Sequence, residues 1–385
     1  MDELDPRMQP GAGDEAARAF AELSEALSDI EARYIGPERG MHSAEERAAG
    51  RFLVANALQH GFQCWFPSDP RRPLFHRWLG TTKKLLGDNP DAVYYGTVVD
   101  PAHAYRIRGH VHGACYTSFS VETGAMDGHL SKGVVATLND TEFDVAADGS
   151  YEILASPDPP PGGPRNWLRL EPDAGSITTR HYWEWERNVA ADPTFHVPLW
   201  IEPVEPPGPA PPMDDAAIAA GIRRVVNFVR GVTIDFPELP PEVMPAWVSN
   251  VVNQFDNSAY GESNAEIGYA AVDNAYLQTR YELGPDQALV MRGRFPRCRF
   301  ANVVVWNHRL QTPPYRYRRV SLNRSQTTYE KDGSFRMVVA HRDPGVPNWI
   351  DAAGLPTGMI FWRFLMPEER IPPIEAEVVQ VDSLA

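Results

Sequence analysis

Met291-Arg292-Gly293, Ser321-Leu322-Asn323-Arg324 and Asp332-Gly333-Ser334-Phe335, running on to Asn348-Trp349, decide the fold, because each block has a partner earlier in the chain. Arg292-Gly293 answers Arg108-Gly109, Leu322-Asn323 answers Leu138-Asn139, and Asp332-Gly333-Ser334 answers Asp148-Gly149-Ser150, all at an offset of 184. Asn348-Trp349 answers Asn166-Trp167 at 182, and Asp273-Asn274 answers Asp88-Asn89 at 185. Matches in one order at nearly one offset mark an internal duplication. A weaker echo extends it upstream, where Ala48-Ala49-Gly50 resembles Ala219-Ala220-Gly221 and Phe66-Pro67 resembles Phe236-Pro237, at 171 and 170.

Working outward, the repeated blocks sit among short strand-like runs. Tyr116 to Val121 alternates aromatic and hydroxyl side chains, and Asp-Gly precedes both Tyr151 to Leu154 and Phe335 to Ala340. Asp-Gly is a tight-turn signature. The 29 Gly and 36 Pro suit many turns between short strands. The expected class is mainly β with accessory helices (α+β), a duplicated tandem of β-sandwich or jelly-roll-like domains. Helices are expected ahead of each β-domain. Phe20, Leu23, Leu27, Ile30 and Tyr34 recur at helical spacing, and Ser43 with Glu46 forms a capping box. Asp214 or Asp215 caps a third helix, and Pro241 to Phe255 reads as a fourth, with Trp247, Val248, Val251 and Phe255 as its stripe. The domain map is a disordered lead-in 1–13, a helical lead-in 14–84, a first β-domain 85–202, a Pro-rich linker 203–213, a helical segment 214–269 and a second β-domain 270–385.

Composition narrows the function classes. The chain has 385 residues, 43% hydrophobic and 23% charged, as a globular protein of two or three domains does. A formal charge of -15 repels phosphate backbones, so no nucleic-acid partner is expected. Tyr315-Arg316-Tyr317-Arg318-Arg319 is the one basic run against that trend. Cys64, Cys115 and Cys298 lie far apart without CxxC spacing, which fits a reducing compartment. The acidic start Met1 to Asp5 has no apolar h-region and no window reaches transmembrane length, so a cytoplasmic protein without membrane insertion is expected.

Duplicated Asn139/Asn323, Asp148/Asp332 and Asn166/Asn348 read as scaffold, since Asn and Asp hold turns through their own backbone. Differences between the copies point to chemistry. His341-x-Asp343 in the second repeat places an acid on the same strand face as an imidazole, with Arg324 nearby in sequence. His110 and His112 project from one strand face, half of a divalent-metal site that Glu122 or Glu184 would complete. In Tyr182-Trp183-Glu184-Trp185-Glu186 the carboxylates alternate with indoles, so Glu184 is a candidate base, and His181 beside it occupies the place of Arg363. Nucleophile-elbow, H-E-x-x-H, dinucleotide-binding and Walker patterns are absent, and the oxygen-rich stretch Asn257 to Glu266 lacks EF-hand spacing.

Ser321 to Arg324, Asp332-Gly333-Ser334, Asp343-Pro344, Asn348-Trp349 and Phe361 to Pro367 resemble the domain-of-unknown-function family numbered 1214. The first β-domain, from Asp88 through Tyr94 to Tyr116, is similar to the type numbered 1254 that often precedes it. The resemblance implies β-sandwich or jelly-roll domains with helical additions, and no reaction. Ile350-Asp351-Ala352-Ala353 departs from the Leu-Pro-Ala-Pro usual in that family.

Together these features lead to an enzyme acting on a small apolar or aromatic metabolite by acid–base chemistry, in a pocket between the repeats. His341 with Asp343, or His110, His112 and Glu184, would carry it. The alternatives are a non-catalytic module binding glycans or lipids through aromatic faces, and an assembly protein whose sandwich edges pair into a homo-oligomer.

Overall fold

A computed structural model describes residues 14–236, 244–257, 261–262, 269 and 271–384. The expected disordered lead-in 1–13, and most of the stretch from Asn257 to Glu266, lie outside the described residues. Helices α1 (Glu15–Arg33) and α2 (Ala44–His60) open the chain and α3 (Asp215–Gly231) stands at its middle. Asp14 caps α1 and Asp214 caps α3, each by accepting the amide of the third residue on, and Ser43 with Glu46 closes the capping box on α2. Shifting α2 by 171 residues lands on α3, so the weak upstream echo marks a duplicated helix. The stripe of α1 is Ala19, Leu23, Ala26 and Ile30, and Phe20 faces out at 51% exposure. Residues 244–255, expected as a helix, run as turns instead. Val248 bridges to Gln278 at the sheet edge and Phe255 enters the second core. Pro245 removes a backbone donor that a helix there would need. No described helix is long and apolar enough to cross a membrane.

Among the described residues, eighteen strands follow the duplication. The first repeat has β1 (His76–Arg77), β2 (Ala92–Val98), β3 (Tyr105–His110), β4 (Tyr116–Thr123), β5 (Val134–Asn139), β6 (Ser150–Ser156), β7 (Trp167–Arg169), β8 (Ala174–Tyr182) and β9 (Leu199–Pro203). The second has β10 (Gly261–Glu262), β11 (Asn274–Glu282), β12 (Gln287–Gly293), β13 (Phe300–Trp306), β14 (Ser321–Asn323), β15 (Phe335–Ala340), β16 (Trp349–Asp351), β17 (Thr357–Leu365) and β18 (Glu375–Gln380). The sheet orders β1-β2-β8-β4-β5 and β7-β6-β3-β9 become β10-β11-β17-β13-β14 and β16-β15-β12-β18 when every number rises by nine. The two repeats therefore share one topology. Each pairs a five-stranded with a four-stranded sheet around its own apolar core, sandwich fashion. In the second core Trp362 stacks between Phe335 and Phe364, with ring centroids 5.2 and 5.9 Å away.

The duplicated residues are mainly structural. Asn166 and Asn348 both take left-handed backbone, φ 59 and 60°, and their side chains tie the loop to the preceding strand. Asp148 and Asp332 each accept the amide two residues on, closing the turns into β6 and β15. Gly109 faces Tyr151 across the ladder and Gly293 faces Phe335, and the ring lies over the bare glycine in both repeats. A Cβ on Gly109 would stand 2.2 Å from the Tyr151 hydroxyl, and one on Gly293 2.9 Å from the Phe335 ring. Gly109→Ala is therefore expected to lower stability by about 1–3 kcal/mol, and by more than Gly293→Ala, in urea unfolding. Two unaffected variants would show that the rings do not rest on these glycines.

Candidate functional site

Strand register fixes which residues correspond. Ala92 and Tyr116 both pair with Tyr182, whereas Asn274 and Phe300 both pair with Leu365. Asp91 therefore corresponds to Asp273, and Arg180 to Arg363. The sequence alignments of Asp88 with Asp273 and of His181 with Arg363 slip by three residues and one, because loops absorb the difference.

This correspondence exposes a reciprocal seam. Asn323 donates through Nδ2 to Asp91 at 3.1 Å, and its counterpart Asn139 donates to Asp273 at 3.2 Å. Arg363 donates to the Gly87 carbonyl at 2.9 Å, and Arg180 to the Tyr269 carbonyl at 2.7 Å. Each repeat thus grips the segment that leads into the other. The first lead-in is also seated on the second repeat by Trp306 Nε1 on the Asp88 carbonyl (2.9 Å), Thr312 N on Asp88 Oδ1 (2.8 Å) and Gly87 N on the Leu310 carbonyl (2.9 Å). Tyr116, Tyr182, Phe300, Leu365 and Ala92 plug the seam with apolar surface.

Polar side chains surround the plug. Asp91 accepts further amides from Asn188 at 2.6 Å and Asn302 at 2.9 Å. Burial pushes its carboxyl up to about 6 against the pull of those amides. Asp273 accepts the Tyr116 hydroxyl. Two ion pairs cross the seam. Arg324 grips Glu184 with two bonds of 2.7 Å, and Arg299 pairs with Asp140 at 2.9 Å. Both arginines also donate to backbone carbonyls, Arg324 to Cys298 and Arg299 to Cys115, so their forks are fixed.

Of the residues singled out in the sequence, the fold brings together Arg324 and Glu184, as a structural pair. His341 and Asp343 do not meet. His341 Nε2 lies 3.1 Å from the Leu283 carbonyl, and Asp343 accepts the Gly345 amide in an exposed turn. His181 is fully buried between the hydroxyls of Thr117 and Thr179, and burial lowers it to about 3, so it is neutral and sealed from solvent. His110 and His112 are neighbours, ring centroids 6.1 Å apart. Both nitrogens of His110 face backbone groups, the Asp148 carbonyl and the His112 amide, which leaves none for a metal. The carboxylates meant to complete that site are engaged elsewhere, Glu122 with Ser176 and Glu184 with Arg324. No group of three or more metal-ligating side chains occurs among the described residues.

A cleft of about 470 Å³ opens on this seam. Glu186, Arg187, Tyr315, Arg316, Tyr317 and Arg319 line it, so the basic run forms a wall of the cleft as a turn between strands. Arg318 is held by Asp351 at 2.7 Å. Arg187, Arg316 and Arg319 form no ion pair among the described residues, and Arg316 lies over the Tyr317 ring at 5.5 Å. Sequence reading missed Asp91, Asn302 and the Arg180/Arg363 pair. The signal for the arginines was present, an Arg at matching places in both copies, but it was obscured by the one-residue slip.

Because amides satisfy Asp91 from several sides, Asn323→Ala is expected to cost about 1–3 kcal/mol in chemical denaturation. The lowered acidity of Asp91 also has a sign. The folded state holds this proton more tightly than the unfolded chain, so its contribution is complete below its ordinary value of 3.8 and is lost as pH rises through about 6. Asp91→Asn is expected to flatten the fall in melting temperature across that interval. A variant with the wild-type slope would assign the proton elsewhere.

No curated protein matches the chain. The structure is similar to that of an uncharacterized protein from Burkholderia cenocepacia, with a TM-score of 0.79 at 24% identity over 97% of this chain and 98% of that one, which establishes a shared fold. Likeness to the VPA0106 protein of Vibrio parahaemolyticus (TM-score 0.45, 13% identity, covering 84% and 99%) and to Lactobacillus farciminis oxalate decarboxylase (TM-score 0.19, 9% identity, covering 83% and 88%) carries no argument. A family model described as protein of unknown function (DUF1214) matches residues 96–184 and 280–369. The first β-domain thus matches the same model as the second, where its sequence had suggested the 1254 type. The spacing of the two segments is that of the duplication, and each of the two β-domains matches the DUF1214 family model.

Proposed function

We propose that the protein binds a small anionic ligand bearing a flat or aromatic ring, in the cleft between its repeats. The observation that carries this is the cluster of three guanidinium groups, Arg187, Arg316 and Arg319, that form no ion pair among the described residues, on a chain of net charge -15. Arginines clustered on an acidic protein form a local well for anions, and their forks suit carboxylate or phosphate. Tyr315 and Tyr317 supply ring faces beside them. The site keeps the place expected from the sequence, between two jelly-roll-like repeats, and the aromatic half of the expected ligand. It replaces an apolar lining with a cationic one. Acid–base chemistry here would fall to Glu186, the one carboxylate of the lining, since neither histidine pair reaches the cleft. Binding without turnover is therefore the reading we favour.

A second reading, glycan binding, draws on Trp185. Trp185 is 43% exposed and its ring stands edge-on to Phe195, 6.0 Å between centroids, next along the chain from Glu186 in the cleft. Sugar faces stack on such rings.

Isothermal titration with phenyl phosphate and inorganic phosphate separates charge from ring. Phenyl phosphate is expected to bind more tightly than phosphate. Arg316→Ala with Arg319→Ala should weaken both by about tenfold or more, the loss of charge-assisted hydrogen bonds. Binding that is absent, or unchanged in the double variant, would sink the anion reading.

A further inference from the structure

The walls of the cleft between the repeats can be compared with their counterparts at the other end of the seam. Trp183 N donates to the Asp91 carbonyl at 2.9 Å and Met366 N to the Asp273 carbonyl at 2.7 Å, so these two places correspond. Three residues further on, Glu186 answers Glu369. Cys115 N donates to the Tyr182 carbonyl and Arg299 N to the Leu365 carbonyl, so two residues back Gly113 answers Arg297. In the second repeat Glu369 accepts the Arg297 amide at 2.7 Å and ties two loops together. Glu186 makes no such bond. Among the described residues its carboxylate has neither a hydrogen bond nor an ion pair, although it shares the cleft with Arg187, Arg316 and Arg319. Counted back from Asn323 and Asn139, Arg319 and Arg316 stand where the first repeat has Val135 and Lys132. Both walls have therefore diverged, one toward guanidinium groups and the other toward a carboxylate released from its structural bond.

That carboxylate is held at the wall by its backbone. The Glu186 carbonyl accepts Gln326 Nε2 at 3.0 Å, and the Glu184 carbonyl accepts the Ser325 hydroxyl at 2.6 Å. Asn188, which also lines the cleft, donates to Asp91 and Ser321. The uncharged polar side chains of the lining thus all donate inside the protein, and recognition falls to the charged ones. A carboxylate beside an anion site repels the acid group that the arginines attract. The conflict disappears when the ligand brings a cation of its own, because each end then meets its opposite. A space of about 470 Å³ holds a small molecule with two charged ends.

We propose that the ligand of this cleft is an amino acid with an aromatic side chain. Its carboxylate meets the guanidinium groups, its ammonium group meets Glu186, and its ring lies beside Tyr317, which is 79% exposed. The inference rests on the anion reading above, which supplies the acid group and the ring, and adds the ammonium group as the feature that selects among such acids.

The test is isothermal titration of the full chain at pH 7 with phenylalanine and with 3-phenylpropionate, which keeps the carboxylate and the ring and lacks the amine. Phenylalanine is expected to bind about tenfold more tightly or better, as a hydrogen bond between charged groups provides. Glu186→Gln is expected to reverse the order, since the ammonium group then faces only guanidinium groups while phenylpropionate loses a repulsion. The comparison in the wild-type chain needs no variant, so it stands even if the substitution disturbs folding. Equal binding of the two acids, tighter binding of phenylpropionate, or an unchanged preference in folded Glu186→Gln would overturn the inference. Phenylpropionate that binds and is weakened by Arg316→Ala with Arg319→Ala would in those cases leave the anion reading standing. If neither acid binds and phenyl phosphate does not either, both fall together.

Discussion

Two amide-to-carboxylate hydrogen bonds, Asn323 to Asp91 and Asn139 to Asp273, are the constraint on which the architecture rests. Each runs from the end of one sandwich to the segment entering the other. A carboxylate buried at a seam is costly, and Asp91 is tolerable there because Asn188, Asn302 and Asn323 surround it with donors. The pattern is that of a twofold interface, in which residue i meets j and j meets i, enclosed within a single polypeptide. The Arg180 and Arg363 contacts repeat it one layer away.

Much of this fold was legible in the sequence. The repeated Asp-Gly-Ser and Asn-Trp blocks report turns whose geometry admits few other residues, so both copies kept them. The capping box at Ser43 and the cap at Asp214 were equally readable, because a helix start depends on local hydrogen bonds. The stretch 241–255 misled because its apolar spacing serves an edge contact and a core anchor at Phe255. The site was harder to read. Arg324 and Glu184 lie 140 residues apart, and nothing local to either says that they meet. His341 with Asp343 has the spacing of a dyad, but the strand ends at Ala340 and the alternation needed to align them ends with it. Asp91 was invisible because its importance lies in its three amide neighbours, each from a different part of the chain.

The copies differ most where they are most buried. Arg363 spreads its charge over Trp306 and Phe361, 4.9 and 4.7 Å from their centroids, whereas Arg180 leans on the Ser120 hydroxyl and a carbonyl. The same arginine is thus kept by aromatic faces in one repeat and by polar contacts in the other. Duplication supplies two equivalent frames, and stability needs only one of them to be filled with rings. The other frame is then free to retain polar groups.

The exchanged lead-ins also set an order of assembly. During synthesis the first repeat leaves the ribosome with residues 84–91 already made, but their seat at Trp306 to Thr312 lies more than 200 residues downstream. Arg180 likewise waits for Tyr269. The nascent first sandwich can close its core, yet the lead-in at Gly87 and Asp88 remains unseated until the second sandwich is nearly complete. Folding on the ribosome cannot finish one domain before the next, as it does in chains of independent modules. The tandem matures late and as a unit, and a truncated chain ending at the proline-rich linker would expose its seam to solvent and to chaperones.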